Sequence, residues 1–399
     1  MSDNAPPPPA NTFSPAAPAT EALANATGIL PYQALKELIR AREVYAAQEI
    51  EPDQIQPASI DLRLGAVAYR VPASFLPGTQ ATVMERLEQL GSHEIDIGKG
   101  ALLEKNCVYI VPLLERLKLS NRLWAFANPK SSTGRLDIFT RLITDRGTEF
   151  DRVERGYDGP LYAEIAPRTF SIVVRTGSRL TQLRIRRGQP AFAAGALRRL
   201  HEENRLVEGA PGEAAAMRED SIGVTIDLHG TGPGSLVGYR AKKNAEVIDI
   251  DKLAAHDPTN YWDPIYYRPG HPVILNPDDF YILVTRESVS VPPDHAAEMI
   301  PYDTSVGEFR VHYAGFFDPG FGWDAGGSAT GSRAVLEVRS HDVPFVLEHG
   351  QVVGWLRYEK MTQKTDRLYG PAIGSSYQRQ GLALPKQFHD GSFQEGGGQ

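Results

Sequence analysis

The sequence predicts an all-β protein, a tandem duplication of one β-barrel domain with short flanking helices. Three observations carry that prediction. Among 399 residues, 30 prolines and 37 glycines supply the turns that many short strands require. Apolar and polar residues alternate in runs of strand length. A set of short motifs also recurs in the same order in the second half of the chain.

Taken from the N-terminus, residues 1–27 are rich in Pro, Ala, Ser and Asn, with four consecutive prolines from Pro6 to Pro9, the composition of a disordered arm. Pro31 then opens a helix in which Leu35, Leu38, Ile39 and Arg42 keep helical spacing. From Ile60 the period changes to two: Ile60, Leu62 and Leu64 alternate with Asp61 and Arg63 until Gly65 stops the run. Further strands are expected over 119–127, 161–165, 170–175 and 180–185, and a second helix over 197–206.

The pattern then restarts. Ile60-Asp61-Leu62 returns as Ile226-Asp227-Leu228, Val67-Ala68-Tyr69-Arg70 as Val237-Gly238-Tyr239-Arg240, and Tyr109-Ile110 as Tyr281-Ile282. Later matches hold an offset of 173 residues, pairing Asp145 with Asp318, Glu164 with Glu337, Gly177 with Gly350, and Leu183-Arg184 with Leu356-Arg357. The expected division is an arm over 1–27, domains over 28–196 and 197–390, and a flexible Gly-rich tail over 391–399.

Composition narrows the functional classes. An apolar content of 41% with 23% charged residues is that of a soluble globular protein. The net charge of −7 argues against a nucleic-acid polymer as partner, so any phosphate site must be local. No run of 18 apolar residues predicts a membrane span, and no basic segment followed by an apolar stretch predicts a secretory leader. The lone Cys107 sits in an apolar run, which fits a buried side chain in a reducing cytoplasm.

The segment most suited to phosphate is Lys130-Ser131-Ser132-Thr133-Gly134-Arg135, directly after a strand. Gly134 permits close backbone approach. The hydroxyls of Ser131, Ser132 and Thr133 can cradle phosphate oxygens, and Lys130 and Arg135 supply charge, Arg135 as a planar fork. The same composition also suits a helix N-cap made by Ser131 or Ser132. The sister stretch, 301–308, carries Asp303 and Glu308 and no cation matching Arg135. One copy keeps a phosphate-compatible loop and the other has lost it.

Glu164 and Glu337 are acids inside apolar strands at equivalent places in the repeat. A partly buried carboxylate has a raised pKa and suits proton transfer near neutral pH; the alternative is that each lies on the exposed face of its strand. Asp145 and Asp318 precede Gly and Pro-Gly, where an acid serves a turn or accepts from a sugar hydroxyl. Tyr369, Tyr377 and Gln380 lie in a polar, Gly-containing stretch after the last strand, a pattern shared by ligand lids and ordinary tails.

These residues together resemble the dCTP deaminase branch of the dUTPase superfamily. Its phosphate motif, Ser-Ser-x-x-Arg, is matched by Ser131 to Arg135; its strand motif by Ile60 to Gly65; its hairpin entry by Phe317-Asp318-Pro319-Gly320; its acidic strand by both Glu164 and Glu337; and its lid by Tyr369, Tyr377 and Gln380. The resemblance spans both halves and points to the long two-domain bacterial form, with dUTPase-like barrels. It implies hydrolysis of dCTP to dUTP and ammonia, with a glutamate as general base and Ser131 and Arg135 positioning water and stabilising charge. It implies Lys130, Ser132, Thr133, Gly134, Asp145, Tyr162, Asp318 and the lid residues as substrate contacts.

The resemblance further implies Mg²⁺ carried on the triphosphate without dedicated protein ligands, no zinc, dTTP as a candidate inhibitor, and a homo-oligomer of threefold character. The absence of zinc agrees with the single cysteine, since a zinc deaminase site uses a Cys-x-x-Cys pair. In each copy the Glu follows the Asp by 19 residues (164 − 145 and 337 − 318), which leaves Asp151 and Asp158 as rivals to Asp145. Of the two glutamates the reading favours Glu164, with Glu337 kept open because the better hairpin match and the lid lie in the second half. Related alternatives are a dUTP pyrophosphatase, a bifunctional enzyme, or a non-catalytic nucleotide-binding regulator.

Overall fold

Alternating apolar residues fold each half into a pair of antiparallel sheets wrapped around an apolar interior. The computed structural model describes residues 26–189, 195–210, 212–301, 309–311, 315–324, 328–340, 343–370, 381–389 and 393. The expected arm, except its last two residues, lies outside the described residues, as do most of the Gly-rich tail, Tyr377 and Gln380.

In the first half, Thr181–Arg187 pairs with Leu123–Pro129 and with Ile60–Leu62, while Asp158–Pro167 lies between Val108–Lys118 and Ile138–Thr144. In the second half, Val352–Lys360 lies between Ser221–Thr225 and His295–Pro301, and Ser332–Ser340 lies between Phe280–Val289 and Phe309–Val311. The register repeats as well: Glu164 lies opposite Ile110, and Glu337 opposite Ile282. Hydrogen bonds made by equivalent side chains repeat with it. The Glu115 carboxylate accepts from the Arg63 amide at 2.8 Å, and that of Glu287 from the Thr225 amide at 2.7 Å.

One expected match slips by four residues. Ile60 pairs with Leu183, but it is Ile222 that pairs with Leu356, and Ile226 takes the place of Leu64, each accepting from the glycine amide of the next turn (Gly350 and Gly177). The two Ile-Asp-Leu motifs therefore do different work. Asp61 sits within a strand and pairs with Lys130, whereas Asp227 caps a turn by accepting from the amides of His229 and Gly230.

Among the described residues, the helices longer than one turn are Tyr32–Arg40, beginning after Pro31, and Ala196–Asn204, together with an unexpected one, Val83–Leu90. Arg42 lies beyond the first helix in the left-handed region (φ 58°). Thr82 and Glu85 form a reciprocal capping box that starts Val83–Leu90, and Gly91 ends it at φ 65°.

The halves share a core. Ile172–Val174 pairs in parallel with Ile248–Asp249, and Phe170 meets Tyr261 and Trp262 edge-on at centroid distances of 5.9 and 5.5 Å. Buried Arg184 reaches from the first half into the second, donating to the carbonyl of Ala297 at 3.1 Å and to Asp318 at 3.0 Å, with its guanidinium 3.9 Å from the Phe316 ring centre. These contacts fix one barrel against the other, and the cleft described next lies on that boundary.

Candidate active site

The strand Leu123–Pro129 runs out at Lys130, and one helical turn, Ser131–Gly134, follows. Lys130 itself occupies the N-cap position and makes no side-chain cap bond, so neither Ser131 nor Ser132 is the capping residue. The turn is pinned by the Thr133 and Gly134 amides donating to the Lys130 carbonyl and by the Lys130 amide donating to Leu180. Ser132, Thr133, Gly134 and Arg135 are buried.

This turn forms one wall of a cleft of about 730 Å³, a size suited to a small-molecule ligand. Asp61, Arg179 and Gln182 line it from the first half, Asp318 and Tyr369 from the second, and Arg367 and Lys386 from the C-terminal segment. Lys130 pairs with Asp61, and Arg179 with Glu51 and Asp53 at 2.5 and 2.9 Å. Burial lowers the pKa of the Lys386 ammonium, and the charge of nearby Lys130 adds to the effect. An anion entering here meets four cations, of which only Lys130 was recognised in the sequence. Arg179, Arg367 and Lys386 come from separate segments with no shared motif.

The cleft deepens into a smaller cavity of about 60 Å³, lined by Ser131, Gly134, Arg135, Phe317, Asp318 and Glu337 among others. Here the Arg135 Nε is 3.7 Å from the Glu337 Oε1, across the boundary between the halves. Arg135 also donates to the Ala383 carbonyl at 3.3 Å. Glu337 is 7% exposed, and burial pushes its carboxyl up to about 7 against the opposing pull of Arg135. Asp318 is raised too, first by burial, with Arg184 opposing.

Glu164, Asp145 and Tyr162 do not reach this cavity. One oxygen of buried Glu164 accepts from Arg141 at 2.6 and 3.0 Å, and the other is buried without a partner among the described residues. Arg141 in turn donates to Ser74 at 2.7 Å and stacks 3.4 Å from the Phe150 ring centre. Asp145 accepts from the Val83 amide at 2.8 Å, at the start of the unexpected helix. Tyr162 packs in an apolar cluster with Val83 and Leu87. In the first barrel the segment carrying that helix thus packs against Asp145 and Tyr162, whose counterparts Asp318 and Val335 line the cavity in the second. Of the rivals, Asp151 accepts from the Leu142 amide at 2.8 Å and lines a different cleft, and Asp158 is exposed at a strand start. Of the sister loop 301–308, only Pro301 is described.

A hydroxyl-rich turn opposite a buried acid, reached through a cation-lined cleft between two β-barrels, suits an anionic small molecule with proton transfer beside it. Comparison with known proteins agrees. Residues 26–189 match the family model for the 2'-deoxycytidine 5'-triphosphate deaminase (DCD) N-terminal domain, and residues 193–388 match that for its C-terminal domain. The crystal structure of 2'-deoxycytidine 5'-triphosphate deaminase from Agrobacterium tumefaciens is similar at 53% identity and a TM-score of 0.79, over 86% of this chain and 100% of that one. A dCTP deaminase of Natronomonas pharaonis is 28% identical over 35% of this chain and 68% of its own length. A "dCTP deaminase, dUMP-forming" of Mycobacterium sp. (strain KMS) is 27% identical over 44% of this chain and 85% of its own. The chain belongs to the dCTP deaminase family. No helix among the described residues is long and apolar enough to cross a membrane.

Proposed function

We propose that this chain converts dCTP and water to dUTP and ammonia, with Glu337 rather than Glu164 as general base. The observation that carries the assignment of the base is the position of Glu337 across the cavity from Arg135. As a carboxylate, Glu337 removes a proton from water while the water oxygen bonds to C4 of the cytosine, and that proton goes to N3. The proton remaining on the new hydroxyl then passes through Glu337 to the exocyclic amine. The C4–N bond breaks with its electron pair on nitrogen, ammonia leaves, and the C4 carbonyl forms.

A carboxyl titrating near 7 can perform both transfers, because it neither holds nor releases the proton too strongly. Arg135 stabilises charge that develops at the pyrimidine ring, and Ser131 orients the water. Lys130, Ser132, Thr133, Gly134, Arg179, Arg367 and Lys386 bind the triphosphate, while Asp318 accepts from the sugar and Tyr369 contacts the substrate. dTTP, which shares the deoxyribose and triphosphate, competes for the same cleft.

Mg²⁺ carried on the triphosphate would supply neutralisation of the phosphate charge and would need few protein ligands. Among the described residues, no group of three or more His, Cys, Asp or Glu could hold a metal alone, while Asp61 keeps a buried oxygen without a partner on the cleft wall. That donor set fits a cation held chiefly by the substrate, and the reaction proposed uses no zinc. A homo-oligomer of threefold character, which the family resemblance implies, is not needed to bring Arg135 to Glu337.

The name of the mycobacterial relative favours a second reading, in which the same chain also releases pyrophosphate and yields dUMP. Incubation with dCTP and Mg²⁺ followed by separation of products distinguishes the two. Ammonia with dUTP is expected; dUMP with pyrophosphate establishes the second reading, and no turnover of dCTP contradicts both.

A further inference from the structure

The segment Arg135-Leu136-Asp137 of the first barrel runs beside Glu337-Val338-Arg339 of the second, with the charges reversed two residues along. Arg135 meets Glu337 loosely, with 3.7 Å between the nearest charged atoms. Asp137 meets Arg339 closely: the Arg339 Nη2 donates to one carboxylate oxygen and its Nε to the other at 3.3 Å. Thr169 joins the pair, donating to Asp137 at 2.6 Å and accepting from Arg339 at 2.9 Å, and Arg339 also donates to the Asp278 carbonyl at 2.9 Å. Asp137 is fully buried and Arg339 is 7% exposed. Asp137 holds a left-handed backbone (φ 55°), and its carbonyl accepts from the Arg168 amide.

A buried pair gains little net stability over an apolar one, so a contact this well satisfied invites a geometric explanation. The fork on Asp137 fixes where the chain leaves the Ser131–Gly134 turn, and hence where Arg135 begins. With its far end anchored, Arg135 stands off from Glu337. Without the anchor, the guanidinium would close on the carboxylate in a charge-assisted pair, which favours the ionised acid and holds it away from the water. Other ionisable groups facing this cavity are Lys130 at the start of the turn, Asp318 from the hairpin and Tyr369 from the second half.

We propose that Asp137 and Arg339 are a positioning pair that holds Arg135 at its distance from Glu337 and so tunes the acid for proton transfer in both directions. This rests on the reading of Glu337 as general base.

The test is the pH dependence of kcat for dCTP deamination in Asp137→Asn and Arg339→Lys. Asp137→Asn also bares the Arg339 charge, which acts in the same direction. The acidic limb of the Asp137→Asn profile should move down by about 0.5–1 pH unit, with kcat at pH 8 lowered roughly tenfold. Arg339→Lys, which keeps the charge but not the fork, should move it less. Infrared difference spectra of each variant against its Glu337→Gln counterpart follow the Glu337 carboxyl directly and should show the same downward shift. An unmoved profile and an unmoved carboxyl in whichever variant folds, even with reduced stability, would overturn the proposal and leave the pair purely structural. An active Glu337→Gln enzyme would instead defeat the reading of the base, while the infrared shift would still decide whether the pair controls Glu337.

Discussion

Arg135 and Glu337 face each other at 3.7 Å from opposite barrels of one chain. Neither half carries a complete site. The first half supplies the hydroxyl-rich turn, and its own acid, Glu164, is taken up by Arg141. The second supplies Glu337, while its counterpart of the turn has Asp303 in the place of Ser131 and no cation matching Arg135. On the proposed reading, one site is built from two barrels.

Assembly within one chain predicts that inactive variants cannot rescue each other. Arg135→Ala and Glu337→Gln proteins, mixed after denaturation and refolding together, should show no more activity than either alone. If the site formed between chains, random co-assembly would return up to about a quarter of wild-type activity. Ammonia release from the mixture measures this.

The buried Glu337 predicts a particular pH behaviour. Its carboxylate is the active form, so kcat should fall below a limb near pH 7. Stability runs the other way. The folded pKa lies above the unfolded value, so the folded chain binds the extra proton between about 4.5 and 7 and loses stability as pH rises through that window. Glu337→Gln removes this dependence. Its melting temperature should gain on that of the wild type between pH 5 and pH 8, and a difference independent of pH would contradict the assignment of the raised carboxyl.

Arg184 predicts a separation of binding from chemistry. Its fork holds one oxygen of Asp318 and lies over Phe316, both of which line the cleft. Arg184→Lys keeps the charge but loses the planar fork, so the KM for dCTP should rise roughly tenfold while kcat stays within a few-fold. Steady-state kinetics would show this, and an unchanged KM would mean that the Arg184–Asp318 pair serves only the packing of the barrels. The sister residue Arg357, exposed and paired with Asp220, should tolerate the same change.

Much of this was legible in the residues themselves. Alternation and turn density gave the all-β class, the recurring motifs gave the duplication, and the Ser131-to-Arg135 motif gave one wall of the cleft. The choice between Glu164 and Glu337 was not legible, because both sit at the same register of the same strand; what separates them is which barrel face meets the turn, a property of tertiary packing. Arg179, Arg367 and Lys386 converge from distant segments and leave no local pattern. The helix Val83–Leu90 did leave one: Thr82-Val83-Met84-Glu85 is a capping-box sequence, overlooked within a region dominated by strands. The misplaced Ile226-Asp227-Leu228 match shows the converse, a sequence likeness that strand register does not honour.

Glu164 is predicted to matter for folding and not for chemistry. Glu164→Gln weakens its pair with Arg141 at a cost of about 1–3 kcal/mol, visible in denaturant unfolding. A cost near zero would mean that the Arg141 contact contributes nothing to holding the segment that contains Ser74.

The most direct test compares the two glutamates in one assay. Purified Glu337→Gln and Glu164→Gln proteins are incubated with dCTP and Mg²⁺, and ammonia is measured at saturating substrate. Glu337→Gln should lose activity by about a thousandfold or more while still binding dCTP, and Glu164→Gln should stay within a few-fold of the wild type. An active Glu337→Gln beside an inactive but folded Glu164→Gln would contradict the account.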